Sequence, residues 1–149
     1  MKLLNKFIST FVFTGYLPKA PGTWGSLFAL LLWWFVVPEN DKLLQIMLIV
    51  TVIIMGLLSS DWFSKNEGRK DPSEVVIDEV AGMWITLFMI PHQWHYFLIG
   101  FILFRFFDIT KPGIIDRSQK LPNGWGIMVD DIISGIFSWL VLRGLLFII

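Results

Sequence analysis

Five apolar runs, separated by four polar breaks, take up most of this chain. They are residues 25–37, 43–58, 80–90, 96–107 and 127–149. The fifth crosses about 30 Å of hydrocarbon unaided at 1.5 Å per helical residue. The second does so if Ser59, Ser60 and Asp61 extend it. The first, third and fourth are short, which predicts tilted, partly re-entrant or locally thinned packing. Backbone polar groups in lipid must be satisfied internally, so all five read as helices.

Composition agrees with this pattern. Of 149 residues, 55% are hydrophobic and 16% charged, with 14 Phe and 8 Trp; an ordinary soluble domain carries roughly 25% charge. A soluble domain of this size keeps too much surface exposed to hide so much apolar area. High apolar content at zero net charge excludes disorder. With no Cys there is no disulfide framework and no thiolate chemistry. Twelve basic against twelve acidic residues argue against a nucleic-acid binder. The expected architecture is a single all-α domain over residues 1–149. It is a polytopic membrane bundle of about four or five embedded helices plus an N-terminal interfacial helix.

Basic residues orient the bundle. Lys2, Lys6 and Lys19 precede the first run; Lys65, Arg69 and Lys70 lie in the second break; Lys111, Arg117 and Lys120 lie in the last. The alternate breaks hold Lys42 alone. Positive loops stay cytoplasmic, so the N-terminus, 61–79 and 108–126 share that side. Trp24, Trp62, Trp94 and Trp125 fall near the expected interfaces. Lys2, Lys6 and the stretch Phe7–Tyr16 imitate a signal peptide, but Asn5, Ser9, Thr10 and Thr14 interrupt it and no A-x-A site follows. An amphipathic interfacial helix ending at Gly15 and Pro18 is the better reading.

Four polar segments fall at the cytoplasmic ends of the runs: 15–26, 71–82, 105–112 and 123–135. Each brings charge or a Gly-rich turn to the same membrane depth. Asp78 and Glu79 are adjacent, as are Asp130 and Asp131, so one of each pair turns inward while the other faces a loop or a lysine. Asp131 and Gly135 share a helix face, where another backbone has room to approach. Arg105, Asp108 and Lys111 stack at intervals of three. Carboxylates from separate helices repel unless a cation lies between them. Mg²⁺ suits such oxygen ligands and commonly bridges to phosphate. Arg105 and Lys111 then serve the remaining phosphate oxygens. The loop Pro21–Ser26, with Thr23 and Ser26, offers a helix N-terminus to an anion.

Charges at helix ends are commonly solvated flanks or dipole partners. Lys65, Glu67, Arg69 and Lys70 read that way, as a solvated loop. His92 and His95 read as interfacial residues rather than metal ligands. Arg143 snorkels or pairs within the bundle. Gly56 and Gly100 permit close helix contact. Asp130 and Asp131 resist the solvated reading, because acids inside an apolar run are costly without partners.

The motifs run in order along the chain: Thr14-Gly15; Ala20-Pro-Gly-Thr-Trp-Gly-Ser26; Val76-Ile-Asp-Glu79 with Gly82-Met-Trp-Ile-Thr-Leu87; Phe104-Arg105 with Asp108 and Lys111-Pro112; and Gly124-Trp-Gly-Ile-Met128 with Asp130-Asp131 and Gly135. In this the chain resembles the bacterial phosphatidylglycerophosphatase A family. It departs from the family pattern at Lys111-Pro-Gly-Ile-Ile115 and at Ser134. The resemblance implies a Mg²⁺-dependent phosphoric monoester hydrolase of the bacterial inner membrane, its site facing the cytoplasm. Its substrate is an anionic phospholipid, phosphatidylglycerophosphate, and its product phosphatidylglycerol. It also implies that Asp78, Glu79, Asp130 and Asp131 hold the metal, that Asp108 joins them in catalysis, and that Arg105, Lys111, Thr23 and Ser26 bind the phosphate. Water activated by a carboxylate and an aspartyl-phosphate intermediate both fit these residues.

Two other classes stand beside this reading. A different Mg²⁺-dependent lipid phosphoryl-transfer enzyme, of the alcohol-phosphatidyl type, needs a D-x-x-D-G…A-R…G-x-x-x-D-x-x-x-D spacing that is absent. A small cation carrier or channel needs polar residues continuing through the bilayer. The third and fourth runs are apolar beyond their cytoplasmic ends.

Overall fold

The computed structural model describes residues 2–68, 72–122 and 124–148. Arg69, Lys70, Asp71 and Asn123, which belong to the basic loop and the motifs above, lie outside the described residues. The described chain is all-helical: α1 Lys2–Ser9, a short 3-10 turn Thr14–Tyr16, α2 Pro21–Val36, α3 Lys42–Glu67, α4 Ile77–Leu87, α5 Trp94–Thr110, α6 Ile114–Ser118 and α7 Gly124–Ile148. Among the described residues two helices are long and apolar enough to cross a membrane, Lys42–Asn66 and Gly124–Ile148.

Local chemistry accounts for several boundaries. Pro21 opens α2, where its missing N–H and fixed φ cost nothing. Asp41 caps α3, its Oδ1 accepting from the Leu44 N–H at 3.0 Å. Gly68 ends α3 in the left-handed region, φ 64°. The N-terminal helix expected to end at Gly15 and Pro18 is instead α1, which stops at Ser9, plus a turn. Ser9 and Thr10 hydroxyls donate back to the carbonyls of Asn5 (2.8 Å) and Lys6 (2.7 Å), and the Ser9 carbonyl accepts from Val76 N–H at 2.9 Å. That carbonyl is lost to the helical ladder, and Phe11, Val12 and Phe13 turn through positive φ. Lys65, expected in a solvated loop, lies in the last turns of α3 and pairs with Asp61 at 2.6 Å.

α4 is the central helix. Val80, Ala81, Met83 and Leu87 are fully buried, with α2, α3, α5 and α7 packed around them. This explains why so short a segment remains helical: its neighbours, not lipid, cover it. Glycines set its distance from α7. A Cβ at Gly135 would lie 3.0 Å from the Gly82 Cα, and one at Gly82 would lie 2.6 Å from the Asp131 carbonyl oxygen. Gly56 admits the Met128 side chain in the same way.

A polar cluster ties the end of the bundle where the start of α3, the loop between α4 and α5 and the tail of α7 meet. Buried Gln45 donates to the carbonyls of Pro38 and Glu39 and accepts from Met89 N–H, each at 3.0 Å. Arg143 finds a partner there, donating to the Met89 carbonyl at 3.1 Å beside the Trp139 ring. His92 stacks on Trp34.

Candidate active site

At the opposite end, four helices converge on a cavity of about 300 Å³. α4 brings Asp78 and Glu79 in its first turn, where the helix dipole favours negative charge. α5 brings Arg105 and Asp108 in its last turns, and α7 brings Asp130 and Asp131. The opening of α2 contributes Gly22, and Lys111 closes α5 in a left-handed cap at φ 43°. The residues expected to share one membrane depth therefore share one cavity, with five carboxylates facing two cations.

The carboxylates divide into two groups. One oxygen each from Asp78, Glu79 and Asp131 lies within 4.8 Å of the others. Asp78 Oδ1, Glu79 Oε2 and Asp131 Oδ2 are buried without a hydrogen-bond partner. Such oxygens are costly unless a cation completes them, and an all-oxygen donor set of this kind fits a hard divalent ion. Asp130 and Asp108 are instead matched to protein cations. Lys111 Nζ donates to Asp130 Oδ2 at 2.6 Å, and Gln119 Nε2 donates to the same oxygen at 3.1 Å. This leaves Asp130 Oδ1 buried and unpartnered. Arg105 Nη1 meets Asp108 Oδ2 at 2.5 Å.

Burial alone lowers the Lys111 pKa. The hydrogen bond to Asp130 and the charges of Asp130, Asp131 and Asp108 outweigh that, and hold it above the ordinary lysine value of 10.5. Lys111 is a fixed cation at neutral pH.

Thr23 and Ser26 do not line the cavity. Ser26 is fully buried; its hydroxyl donates to the Gly22 carbonyl at 2.7 Å and accepts from Arg105 Nη1 at 3.4 Å. It seats the arginine instead of facing an anion. The backbone N–H groups of Thr23 and Trp24 both donate to the Ala20 carbonyl, at 3.0 and 3.4 Å, so the helix start does not present them outward. Two contributors were not singled out in the sequence. Gln119 lies in the 112–122 loop, eleven residues from Asp130, and no local pattern links them. Gly22 belongs to a motif, but its function is space: a Cβ there would collide with the Glu79 carboxylate and lie 3.3 Å from Arg105 Nη1.

Known proteins agree in one direction. The family profile for phosphatidylglycerophosphatase A matches residues 7–146. A protein of Bacteroides thetaiotaomicron, named provisionally as a phosphatidylinositol-3-phosphatase, is 34% identical over 146 residues, covering 93% of this chain and 91% of its own. The phosphatidylglycerophosphatase A of Haemophilus influenzae is 38% identical, covering 86% of this chain and 80% of its own. That of Escherichia coli is 35% identical, covering 84% and 73%. No solved structure matches the chain. The chain belongs to the phosphatidylglycerophosphatase A family.

Proposed function

We propose that this chain hydrolyses phosphatidylglycerophosphate to phosphatidylglycerol and inorganic phosphate in a bacterial inner membrane. The observation that carries the reading is the cavity where four unpartnered carboxylate oxygens, from Asp78, Glu79, Asp130 and Asp131, stand beside Arg105 and Lys111, in a chain of this family. An acidic cluster suits a divalent cation, and the adjoining guanidinium and ammonium suit a phosphomonoester.

Asp78, Glu79 and Asp131 would hold Mg²⁺, with the free Oδ1 of Asp130 available as a fourth ligand. The bound ion supplies charge neutralisation on the phosphoryl oxygens. Arg105 and Lys111 orient the phosphomonoester and offset the charge that develops as the ester P–O bond breaks. One cavity carboxylate takes a proton from the attacking water as its oxygen bonds to phosphorus, and passes that proton to the departing glycerol oxygen as the ester P–O bond breaks. We assign that proton transfer to Asp108, which Arg105 holds at the cavity.

The surrounding helices fit a multi-pass membrane protein. In this reading α2, α3, α5 and α7 cross or enter the bilayer, α4 is enclosed by them, and α1 lies at the interface. Lys19 precedes α2, Lys65 lies in the last turn of α3, and Arg117 and Lys120 precede α7; basic residues at these helix ends support a site that faces the cytoplasm.

Phosphate release by purified protein, measured with Mg²⁺ and with EDTA, tests the reading. Release from phosphatidylglycerophosphate that EDTA abolishes is expected. Release that EDTA leaves intact removes the metal. Faster release from phosphatidylinositol 3-phosphate reassigns the substrate toward that named for the Bacteroides relative. Single-turnover hydrolysis in ¹⁸O water places the label in phosphate directly if water attacks phosphorus. An acid-stable phosphoprotein would replace that step with an aspartyl-phosphate.

A further inference from the structure

We infer that the seam between α2 and α5 seats an acyl chain of the lipid whose phosphomonoester occupies the acidic cavity; the inference rests on the phosphatase reading. The seam is an apolar groove of about 400 Å³ lined by Leu27, Leu31 and Trp34 of α2 and by Trp94, Leu98 and Phe101 of α5, among others.

Helix geometry puts this groove in line with the cavity. Phe101 is one turn before Arg105 on α5, and Leu98 about two turns before it, so they follow one face away from the site. On α2, Leu27, Leu31 and Trp34 continue the face that begins at Thr23, next to Gly22. The two helices meet at the cavity rim, where Arg105 Nη1 reaches Ser26 at 3.4 Å. From Phe101 to Trp94 the groove runs about 10 Å at 1.5 Å per residue, and Arg105 lies about 6 Å beyond it, roughly 16 Å in all. That is close to half of an ~30 Å hydrocarbon core, the depth one acyl chain spans.

The groove opens sideways. Leu31 is 40% exposed, Leu98 48% and Trp94 70%, so a chain can enter from the bilayer without passing through water. Two other apolar grooves, of about 240 and 420 Å³, lie along α3. Among the described residues no α3 residue lines the acidic cavity, so the α3 walls of these grooves do not reach it.

The test compares dipalmitoyl and dihexanoyl phosphatidylglycerophosphate in mixed micelles. Leu31→Trp and Leu98→Trp, made separately, fill the seam. Each is expected to lower kcat/KM for the dipalmitoyl lipid by about tenfold, the loss of roughly two buried methylenes. Turnover of the dihexanoyl lipid, too short to follow the seam, stays unchanged. Val50→Trp, which fills a groove along α3, leaves both unchanged. Equal losses on both lipids, no loss on either, or a matching loss in Val50→Trp overturns the inference. If the wild-type protein releases phosphate from neither lipid, the phosphatase reading has failed and the seam is judged by labelling. Dipalmitoyl phosphatidic acid with a mid-chain diazirine, photolysed in vesicles, then upholds it by marking α2 and α5 peptides and overturns it by marking α3 instead.

Discussion

Gly22 of α2 lies where any side chain would run into the carboxylate of Glu79 on α4. The colliding atom is the far end of a flexible side chain, so Gly22→Ala is expected to fold and to displace that carboxylate. Melting temperature should stay within about 3 °C of wild type, a change of about 1 kcal/mol or less. Turnover should fall about 100-fold, the cost of moving a reacting group by roughly 1 Å. Thermal unfolding and phosphate release on the same preparation check both halves.

Asp131→Asn separates function from stability. Asp131 is 2% exposed and lies among the carboxylates of Asp78 and Glu79. Removing its charge relieves like-charge repulsion, so the variant should melt higher than wild type in EDTA while phosphate release is abolished. Mg²⁺ at about 100 times its Kd should stabilise the wild type by about 2.7 kcal/mol. The variant should respond far less at the same concentration. A Mg²⁺-dependent melting shift equal to wild type would remove Asp131 from the ligand set.

The Lys111–Asp130 pair carries a pH signature. Lys111→Met leaves Asp130, whose side chain is 5% exposed, without its cation and should cost about 3 kcal/mol. The Lys111 pKa is raised on folding. Its contribution is therefore fully present below the unfolded lysine value and is lost as pH rises through the folded one. The melting deficit of Lys111→Met should stay constant from about pH 7 to 10 and shrink only above the ordinary lysine range. Gln119→Ala removes the neutral donor to the same oxygen. It should cost about 1 kcal/mol with no pH dependence in that window. A deficit that changes between pH 7 and 9 contradicts the pairing.

Gly135→Ala tests the helix crossing that supports the site. Its Cβ meets the Gly82 backbone rather than a movable side chain, so α4 and α7 must separate. A destabilisation of about 2 kcal/mol is expected. Because Asp131 lies one turn away on α7, turnover should fall even at temperatures where the protein remains folded. Gly144→Ala, where an added Cβ meets nothing within 4 Å, is the control and should change neither.

The helices were legible because their signals are local. Apolar runs over 43–58 and 127–149 required α3 and α7, but α2 opens at Pro21, inside the segment expected as a loop, and α3 runs on to Glu67 before Gly68 ends it. The gathering of Asp78, Glu79, Arg105, Asp108, Lys111, Asp130 and Asp131 was also legible, since alternating helices return equivalent ends to one side. The 112–122 loop was not: α6 has five residues and no periodic pattern to announce it.

What the sequence determined by itself is an all-helical chain with its acids and bases collected at one end, because helix formation and apolar patterning depend on residues within a few positions of each other. Only the tertiary structure decided how those charges divide. The left-handed turn at Lys111 sends its ammonium to Asp130, nineteen residues away. Ala20 takes the amides that Thr23 and Trp24 would have offered an anion, and the close crossing at Gly82 and Gly135 brings Asp131 to Asp78 and Glu79. These are distances between separate helices, set by backbone turns and by side chains that are missing, and no spacing along the chain encodes them.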